Sequence, residues 1–411
     1  MPTRGKRPTA SDASGDPSAV KKLRQTVLDG GKKDVDSALW SVTDSLAIFT
    51  PPDTKNSAKV LALDMDGTII VTASGRTFPK DANDWKIMLA NIPAVLKHYD
   101  SEGFKVVILS NQSAFKKDRS KFPAFQVKVQ DVVAKLGLPI QVFLSLQDDI
   151  NRKPRTGMWQ TLERQNGGVE IIKKDSIFCG DAAGREANAT NKKDHSCSDR
   201  LFAINVGVPF KTPEELWNEK PCNRPLYSLS FDPKKDLTDA VNVSMPSFSA
   251  PTSPELLLMV GLPACGKSTF CKNHLEKLGY KIVSRDVTGT VEKCLKQVES
   301  FLSAGQSVVI DNTNVDVESR ARFLAVAQSM KIPARALLMT TSPGNSRHNE
   351  MFRRLTGSSH DKINDMVFNI MKSKYKEPTL AEGFTEILKI PFVPSPPDHL
   401  HDLYYQYLLE K

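Results

Sequence analysis

Two aspartates separated by one residue form the first motif in this chain that could carry out chemistry. In V-L-A-L-D-M-D-G-T, Asp64 and Asp66 come directly after the apolar run 60–63. Residues i and i+2 of an extended segment face the same side, so both carboxylates can reach one substrate. One carboxylate can attack a phosphorus atom while the other protonates the leaving alkoxide. The pair therefore predicts phosphoryl transfer through an aspartyl phosphate.

Three polar residues farther along the chain supply the other groups that such a reaction needs. Ser110 in I-L-S-N-Q and Asp181 in F-C-G-D-A-A-G-R each follow an apolar run, and Lys153 in R-K-P-R-T-G-M-W stands between them. Ligands of doubly wound sheets bind at the carboxyl ends of the strands, so we expect these groups to share one crevice. Ser110 and Lys153 can hold phosphoryl oxygens, and Asp181 can hold Mg²⁺, which screens the anions. A surface turn with unrelated acids is the alternative interpretation.

A second motif, G-L-P-A-C-G-K-S over 261–268, has the spacing of a phosphate-binding P-loop. It lies between an apolar strand and a helix, which is the context that this motif requires. Lys267 can reach the β and γ oxygens of a nucleotide, and Ser268 can coordinate Mg²⁺. The backbone N–H groups of the loop and the helix N-terminus can bind the phosphates of a nucleotide. We also expect bound ATP to protect the Cys265 thiol from alkylation.

Two acids that follow strands of the second half are typical of a kinase. Asp286 comes after the strand 281–284 and can take the proton of an acceptor hydroxyl. Its alternative role is that of a helix N-cap. Asp311 follows the strand 307–310 and can help to place metal or acceptor, or can act as a cap.

Three arginines form the predicted lid over this second site. Arg347, Arg353 and Arg354 lie on one predicted helix that can clamp the transferring phosphates, or can form an ordinary basic face. His348 and His360 stand beside them, but they lack a paired metal spacing. We therefore expect packing or surface roles for both histidines.

The elements that must position these groups follow an α/β pattern in both halves. Apolar runs at 60–63, 106–109 and 176–179 alternate with helical stretches in the first half. The second half opens with L-L-L-M-V and continues in the same alternation. Strand, helix, strand in succession predicts parallel sheets. The expected fold is a doubly wound parallel sheet followed by a second α/β domain around the P-loop.

Composition divides the chain into four segments. Residues 1–35 hold eight basic and four acidic residues of a chain with net charge +9, and we expect a disordered basic tail. Such a tail can hold phosphate backbones or serve as an import address. Residues 221–252 are rich in Pro and Ser, which predicts a connector with some packing of its own. The segments 36–220 and 253–411 are the predicted catalytic domains.

Patterning also excludes some classes of protein. No run approaches the roughly 18 apolar residues of a membrane span, and no signal peptide opens the chain. The six cysteines form neither a C-x-x-C pair nor a Cys/His cluster with zinc spacing. We therefore expect no membrane partner and an intracellular, reducing location.

The ordered signatures from Asp64 to Asp181 resemble the phosphatase branch of the haloacid dehalogenase superfamily. This resemblance implies a haloacid dehalogenase-like sheet, with Asp64 as nucleophile and Asp66 as general acid. Few residues separate Asp64 from Ser110, or Ser110 from Lys153, which leaves no room for a large cap domain. An uncapped cleft can admit the end of a polymer, whereas a small metabolite usually needs a lid.

From about residue 36 onward the chain is similar to the polynucleotide kinase 3′-phosphatase family, which processes the ends of DNA strand breaks. The similarity runs, in family order, through D-M-D-G-T-I-I, D-W-K-I, S-N-Q, K-P-R-T-G-M-W, F-C-G-D-A-A-G-R, S-D-R-L-F-A, G-L-P-A-C-G-K-S-T-F, S-R-D, I-D-N-T-N, S-R-A-R, R-H-N and P-T-L-A-E-G-F. It implies removal of a 3′-phosphate and transfer of the ATP γ-phosphate to a 5′-hydroxyl, which makes ligatable ends in DNA repair.

The same resemblance implies roles for individual residues and for partners. Asp64, the backbone carbonyl of Asp66, and Asp181 would hold Mg²⁺, and Asp286 would be the kinase base. The residues that would bind ATP are those of the P-loop: Gly261, Leu262, Pro263, Ala264, Cys265, Gly266, Lys267, Ser268 and Thr269. The implied partners are DNA ends and repair-complex proteins, and the implied location, supported by the basic clusters of the tail, is the nucleus. Only about 35 residues precede the catalytic part, fewer than the roughly 100 of a forkhead-associated β-sandwich, so we expect no phosphopeptide-docking domain.

Three alternative functions stay open beside this one, and the last of them is a kinase/phosphatase pair for small molecules, which would need neither the basic tail nor a capless cleft. The first is an RNA end-healing kinase/phosphatase, because the phage enzyme for RNA ends combines the same activities in the opposite domain order. The second is a scaffold with inactive sites, although a scaffold has no physical need for this set of acids and lysines.

Overall fold

The computed structural model describes residues 35–229, 231–239, 244–357 and 362–410. These residues fall into two compact units. The first runs to Tyr227 and includes Glu410, and the second runs from Ser228 to Leu409. Apart from Val35, the basic tail predicted over 1–35 lies outside the described residues, as does His360.

The first unit is organised by a mixed seven-stranded sheet. Its strands are β1 (Trp40–Val42), β2 (Leu46–Phe49), β3 (Val60–Leu63), β6 (Lys105–Asn111), β7 (Gln141–Ser145), β8 (Ile177–Cys179) and β9 (Phe210–Lys211), while β4 (Ile70–Val71) and β5 (Lys86–Ile87) form a separate antiparallel ribbon. The order is β1-β2-β7-β6-β3-β8-β9. From β7 to β9 all pairs are parallel, as predicted, and the β1–β2 hairpin adds an antiparallel edge.

Helices cover both faces of this sheet, as a doubly wound fold requires. They are α1 (Ile92–Ser101), α2 (Phe122–Leu136), α3 (Gly157–Arg164), α4 (Ser198–Val206) and α5 (Pro213–Trp217). Successive residues of β3 face opposite sides: Leu61 and Leu63 belong to the core under α1 and α2, and Val60 and Ala62 to the core under α3 and α4. This explains why strand β3 is apolar throughout.

The second unit contains a five-stranded, entirely parallel sheet. Its strands are β10 (Leu256–Val260), β11 (Lys281–Val283), β12 (Val308–Ile310), β13 (Ala334–Met339) and β14 (Glu386–Ile390). The order is β11-β12-β10-β13-β14, so β10 is central. The described helices are α6 (Pro233–Asp239), α7 (Lys267–Phe270), α8 (Arg285–Thr288), α9 (Val291–Ser303), α10 (Val317–Ser329), α11 (Pro343–Leu355), α12 (Asp365–Lys374) and α13 (His401–Tyr404).

The helix predicted after the P-loop is not uniform. An α-helical turn over Lys267–Phe270 continues as a π-helical segment, Cys271–Leu275, and a 3₁₀ turn, Glu276–Leu278. It ends at Gly279, because this glycine adopts a left-handed conformation with φ 91°.

Residues of the predicted connector are divided between the two units. Tyr227 belongs to the first unit. In the second, Phe231 is buried against Tyr404, and α6 supplies regular structure. The burial of Phe231 accounts for the packing of this segment in the second unit, whereas the Pro and Ser content alone indicates a loop. None of the helices in the described ranges combines the length and apolar character that a membrane crossing requires.

Candidate active sites

Strand order brings the predicted acids of the first unit together. Strand β3 lies between β6 and β8, and all three run parallel. Asp64 follows β3, Ser110 lies near the end of β6, and Asp181 comes two residues after β8. Because the carboxyl ends of parallel strands meet at one edge, residues far apart in the chain share one crevice.

The buried ammonium of Lys153 links two carboxylates at the centre of this crevice. Its Nζ lies 2.7 Å from Asp64 Oδ1 and 2.7 Å from Asp199 Oδ1, and the side chain is 1% exposed. Asp64, Asp181 and Asp199 each place a carboxylate oxygen within 4.8 Å of the others. Oxygen donors of this kind suit Mg²⁺, so the residues present fit the predicted ion. The side chain of Asp66 is not a member of this cluster.

Asp199 is a site residue that sequence reasoning missed. It lies in the first turn of α4, within S-D-R-L-F-A, a segment that contributed to the family resemblance without receiving a role. Asp199 is too far from Asp181 in the chain for a local spacing rule to connect them. Its place in S-D-R-L-F-A was the only sequence feature that could have indicated a functional role. The Asp199 carboxylate also accepts a hydrogen bond from the Ala182 backbone N–H at 3.0 Å, which joins the start of α4 to the loop that follows β8.

Burial dominates the electrostatics of the cluster. It raises the pKa of Asp64 to about 7, against the opposing effect of Lys153 and with the help of Asp199. The pKa of Asp181 is raised well above its usual value, again by burial first and then by Asp64. Burial would lower the pKa of Lys153, but the Asp199 and Asp64 carboxylates raise it. One cation among two buried acids and one partly buried acid leaves an excess of negative charge that a divalent ion would neutralise.

We expect Mg²⁺ to stabilise the protein more strongly as the pH rises. The folded-state pKa of Asp64, about 7, exceeds its ordinary value of 3.8, so the folded site holds a proton that the unfolded chain releases. The bound proton stabilises the folded protein. This contribution is fully present below pH 3.8 and is lost as the pH rises through about 7. Mg²⁺ must displace the same proton. The Mg²⁺-induced rise in Tm should therefore grow between roughly pH 6 and 8.

Calorimetry with and without Mg²⁺ across this range measures the effect. Asp64→Asn removes the titrating carboxylate. The Mg²⁺-induced rise in Tm should therefore be smaller in this variant and should depend less on pH. An equal increment at every pH in the unsubstituted protein would contradict the expectation.

Asp66 occupies a different environment from Asp64. Its side chain is 54% exposed, and its Oδ2 accepts a hydrogen bond from the Gln112 amide at 2.8 Å. The same amide donates to Ser110 Oγ at 3.0 Å. Gln112 thus connects the predicted general acid to the predicted phosphate-binding hydroxyl. Asn111 exchanges two hydrogen bonds with the backbone of Lys153, at 2.9 and 3.1 Å, and so fixes the lysine loop.

Two glycines make room for the carboxylates. A Cβ atom on Gly67, whose φ is +81°, would lie 2.6 Å from Asp181 Oδ2. A Cβ atom on Gly180 would lie 2.6 Å from the Cβ of Asp199 and closer still to its carboxylate. Side chains at these positions would therefore displace two of the three acids.

We expect Gly180→Ala to reduce phosphatase activity by roughly 100-fold, because a 1 Å displacement of a catalytic group has an effect of this order. The added methyl pushes Asp199 away from Lys153. The assay is kcat/KM for phosphate release, with kinase activity of the same preparation as the internal control for folding. Full phosphatase activity in this variant would show that Asp199 need not hold its position.

The P-loop of the second unit is folded as the motif predicts. It connects central strand β10 to α7, and Gly266 adopts a φ of 101°. The Lys267 ammonium is buried and donates hydrogen bonds to the carbonyl oxygens of Gly261 at 3.1 Å and Leu262 at 2.7 Å. The loop is held from outside by the Asn349 amide, which donates to the Ala264 carbonyl at 2.9 Å.

Cys265 does not have the exposure that its predicted reactivity requires. Its side chain is 1% exposed and packs in the core with Met339. The Sγ lies on the inner side of the loop, where a Cβ on Gly261 would be 2.6 Å from it. The thiol is therefore shielded before nucleotide binds, which weakens the basis for the expected alkylation; protection by ATP stays a prediction.

A cavity of about 510 Å³ opens beside the P-loop. Polar groups at its loop end include Lys267, Ser268 and Thr269, and Phe352 and Phe392 supply aromatic surface. Arg353, on α11, also lines the cavity and pairs with Glu350. These residues give an anion-binding end and an apolar end, as a nucleotide requires.

The three predicted lid arginines are not equivalent. Arg353 lines the cavity, and Arg354 is not among its lining residues. Arg347 donates to Asp365 at 2.8 Å and to Asn369 at 2.6 Å, and its guanidinium lies over the Phe368 ring. The structure therefore uses Arg347 to hold α12. His348 is buried, which agrees with the packing role that was one of the two expected for it. Its Nε2 lies 2.7 Å from the Tyr404 carbonyl oxygen.

The acids of the second unit differ in burial. Ser284, not Asp286, is the N-cap of α8: its hydroxyl accepts from the Asp286 backbone N–H at 3.2 Å. The Asp286 side chain is left exposed beside the end of β11. Asp311 follows β12, the neighbour of β10, and its Oδ1 is buried without a hydrogen-bond partner among the described residues. An unsatisfied buried carboxylate oxygen at this edge fits a metal-bound nucleotide.

Two family models match the chain, one on each unit. The model described as polynucleotide kinase 3 phosphatase matches residues 59–217, and the model described as AAA domain matches residues 256–378. A bifunctional polynucleotide phosphatase/kinase of Schizosaccharomyces pombe is 36% identical over 356 residues, which are 86% of this chain and 84% of the relative. A polynucleotide 3′-phosphatase of Arabidopsis thaliana is 33% identical over 194 residues, which are 43% of this chain and 27% of the relative.

Proposed function

Since the chain belongs to the bifunctional polynucleotide phosphatase/kinase family, we propose that it repairs DNA ends by removing a 3′-phosphate and phosphorylating a 5′-hydroxyl. It is a polynucleotide 3′-phosphatase and a polynucleotide 5′-hydroxyl kinase. The two activities do not oppose each other, because each acts at a different side of a break. Their combined product, a 3′-hydroxyl facing a 5′-phosphate, is the form that can be ligated. A nuclear location is part of the same proposal, supported by the basic clusters of residues 1–35.

The proposed phosphatase reaction starts from the buried cluster around Lys153, the observation that carries this part of the proposal. Asp64 attacks the 3′-phosphate and forms an aspartyl phosphate, while Lys153 and Ser110 hold phosphoryl oxygens. Asp66, half exposed at the crevice, gives its proton to the departing 3′-oxygen and then takes one from the water that hydrolyses the intermediate. Asp64, Asp181 and Asp199 would hold Mg²⁺, which screens the phosphoryl charge when bound.

The proposed kinase reaction uses the P-loop and the acids beside it. Backbone N–H groups of 261–269 bind the ATP phosphates, and Lys267 turns from the loop carbonyls to the β and γ oxygens. Ser268 and Asp311 would hold the Mg²⁺ that accompanies ATP, and Arg353 lines the same cavity as Ser268. Asp286, exposed at the edge of the site, takes the proton of the 5′-hydroxyl.

Nicked duplexes with a 3′-phosphate and a 5′-hydroxyl test the proposal. With Mg²⁺ and ATP, each end is followed separately, and the assay is repeated on a strand-matched RNA version. Loss of the 3′-phosphate and gain of a 5′-phosphate, both faster on DNA, is the expected result. Faster reaction on RNA would favour an RNA end-healing enzyme. Activity on an aryl phosphate but at neither polymer end would contradict the proposal that the substrate is a polynucleotide end.

A further inference from the structure

Lys128 is a buried ammonium that the reaction described above does not use. It lies on α2 and is 6% exposed. Its Nζ is 3.5 Å from Asp66 Oδ1 and 5.2 Å from the centroid of the Phe125 ring, and these are its partners among the described residues. An ammonium has three donors, and 3.5 Å is beyond the usual length of a hydrogen bond. Because a buried charge without good partners is unfavourable, this group is poised for another anion.

A structural role toward Asp66 does not account for this lysine. The 3.5 Å contact with Asp66 Oδ1 leaves the donors of the ammonium without a short acceptor. The hydrogen bond from Gln112, at 2.8 Å, already orients Asp66. The scissile phosphate, in turn, has its own cation in Lys153, which contacts Asp64.

The position of Lys128 indicates which anion it faces. Asp66 is half exposed, whereas Asp64 is buried, so Asp66 marks the outer side of the crevice. If Asp66 protonates the 3′-oxygen, as the proposed function holds, the nucleoside that leaves lies on that outer side. The nearest further anion of a DNA strand is then the phosphodiester on the 5′ side of the terminal nucleotide.

We propose that Lys128 binds this 5′-side phosphodiester and so makes the phosphatase selective for a polynucleotide end over a nucleoside 3′-phosphate. The inference rests on the proposed function, since it places the 3′-oxygen beside Asp66. The proposed contact is with the phosphodiester next to the reacting 3′-phosphate, so it recognises a part of the substrate that does not react. Binding energy at such a point improves capture of the substrate rather than the chemical step.

Three small substrates isolate this contact: thymidine 3′-phosphate, thymidine 3′,5′-bisphosphate and a 3′-phosphorylated dithymidylate. In the unsubstituted protein, kcat/KM should be about tenfold or more higher for the last two, as one charge-assisted hydrogen bond provides. Lys128→Gln should reduce this ratio to about one, mainly through KM, with an unaltered pH profile of kcat. Lys128→Arg keeps the charge and should retain most of the preference. Lys135→Gln, an exposed lysine of the same helix, is the matched control.

Each other result has a defined meaning. Equal use of the mono- and bisphosphate by the unsubstituted protein would overturn the inference. So would a Lys128→Gln variant that keeps the preference, or one that loses activity on all three substrates with a shifted pH profile. The last of these results would indicate that Lys128 acts through Asp66 and does not bind the substrate. Absence of 3′-phosphatase activity on every substrate would instead refute the proposed function. Kinase activity and Tm of each variant establish that it is folded.

Discussion

Asp64→Asn should lower 3′-phosphatase activity by at least ~10⁴-fold, as expected for removal of a nucleophile, and should leave the kinase active. Asparagine has nearly the same shape, so Lys153 and Asp199 keep their partners, but the amide cannot form the acyl phosphate. The substitution also removes a buried carboxylate whose ionisation is opposed by burial. The metal-free variant should therefore be at least as stable as the unsubstituted protein near neutral pH.

Phosphate release from a 3′-phosphorylated oligonucleotide and transfer of labelled phosphate to a 5′-hydroxyl measure the two activities in one preparation. Asp175→Asn, at an exposed aspartate of the same unit, is the matched control and should change neither. If Asp64→Asn abolished both activities while its Tm was normal, the assignment of the two reactions to separate sites would fail.

Lys267→Ala should have the opposite effect and lower kinase activity by roughly 10³-fold or more. The ammonium is the cation of the P-loop, is 8% exposed, and is held in place by two loop carbonyls before nucleotide binds. Its loss removes the charge that meets the β and γ oxygens, while the backbone N–H groups of the loop remain. The 3′-phosphatase should retain its activity, because its acids and Lys153 belong to the other unit.

The effect of Lys267→Ala is measured as kcat and KM for ATP on a 5′-hydroxyl oligonucleotide. Lys272→Ala removes an exposed lysine just after α7 and provides the control for lost charge. Kinase activity that survives Lys267→Ala would indicate that phosphoryl transfer occurs elsewhere.

The sequence alone was sufficient where chemistry and structure depend on neighbouring residues. D-M-D-G-T and G-L-P-A-C-G-K-S each hold their candidate groups within a few residues, because a strand end or a tight loop positions those groups together. The strands at 60–63 and 256–260 were predicted correctly because both are buried on two faces and so read as continuous apolar runs. Helix α2 also depends on neighbouring residues: its buried residues recur at helical spacing, and it ends at Gly137, which adopts a left-handed conformation.

Packing between distant segments decided the rest. Asp199 meets Lys153, and Lys128 meets Asp66, across 46 and 62 positions of the chain. The β1–β2 hairpin joins β7, and Cys265 turns inward while Arg347 binds α12. No local spacing encodes these relations, because each depends on which faces of the sheets and helices come into contact. The sequence determined which groups can react, and the tertiary structure determined which charges surround them.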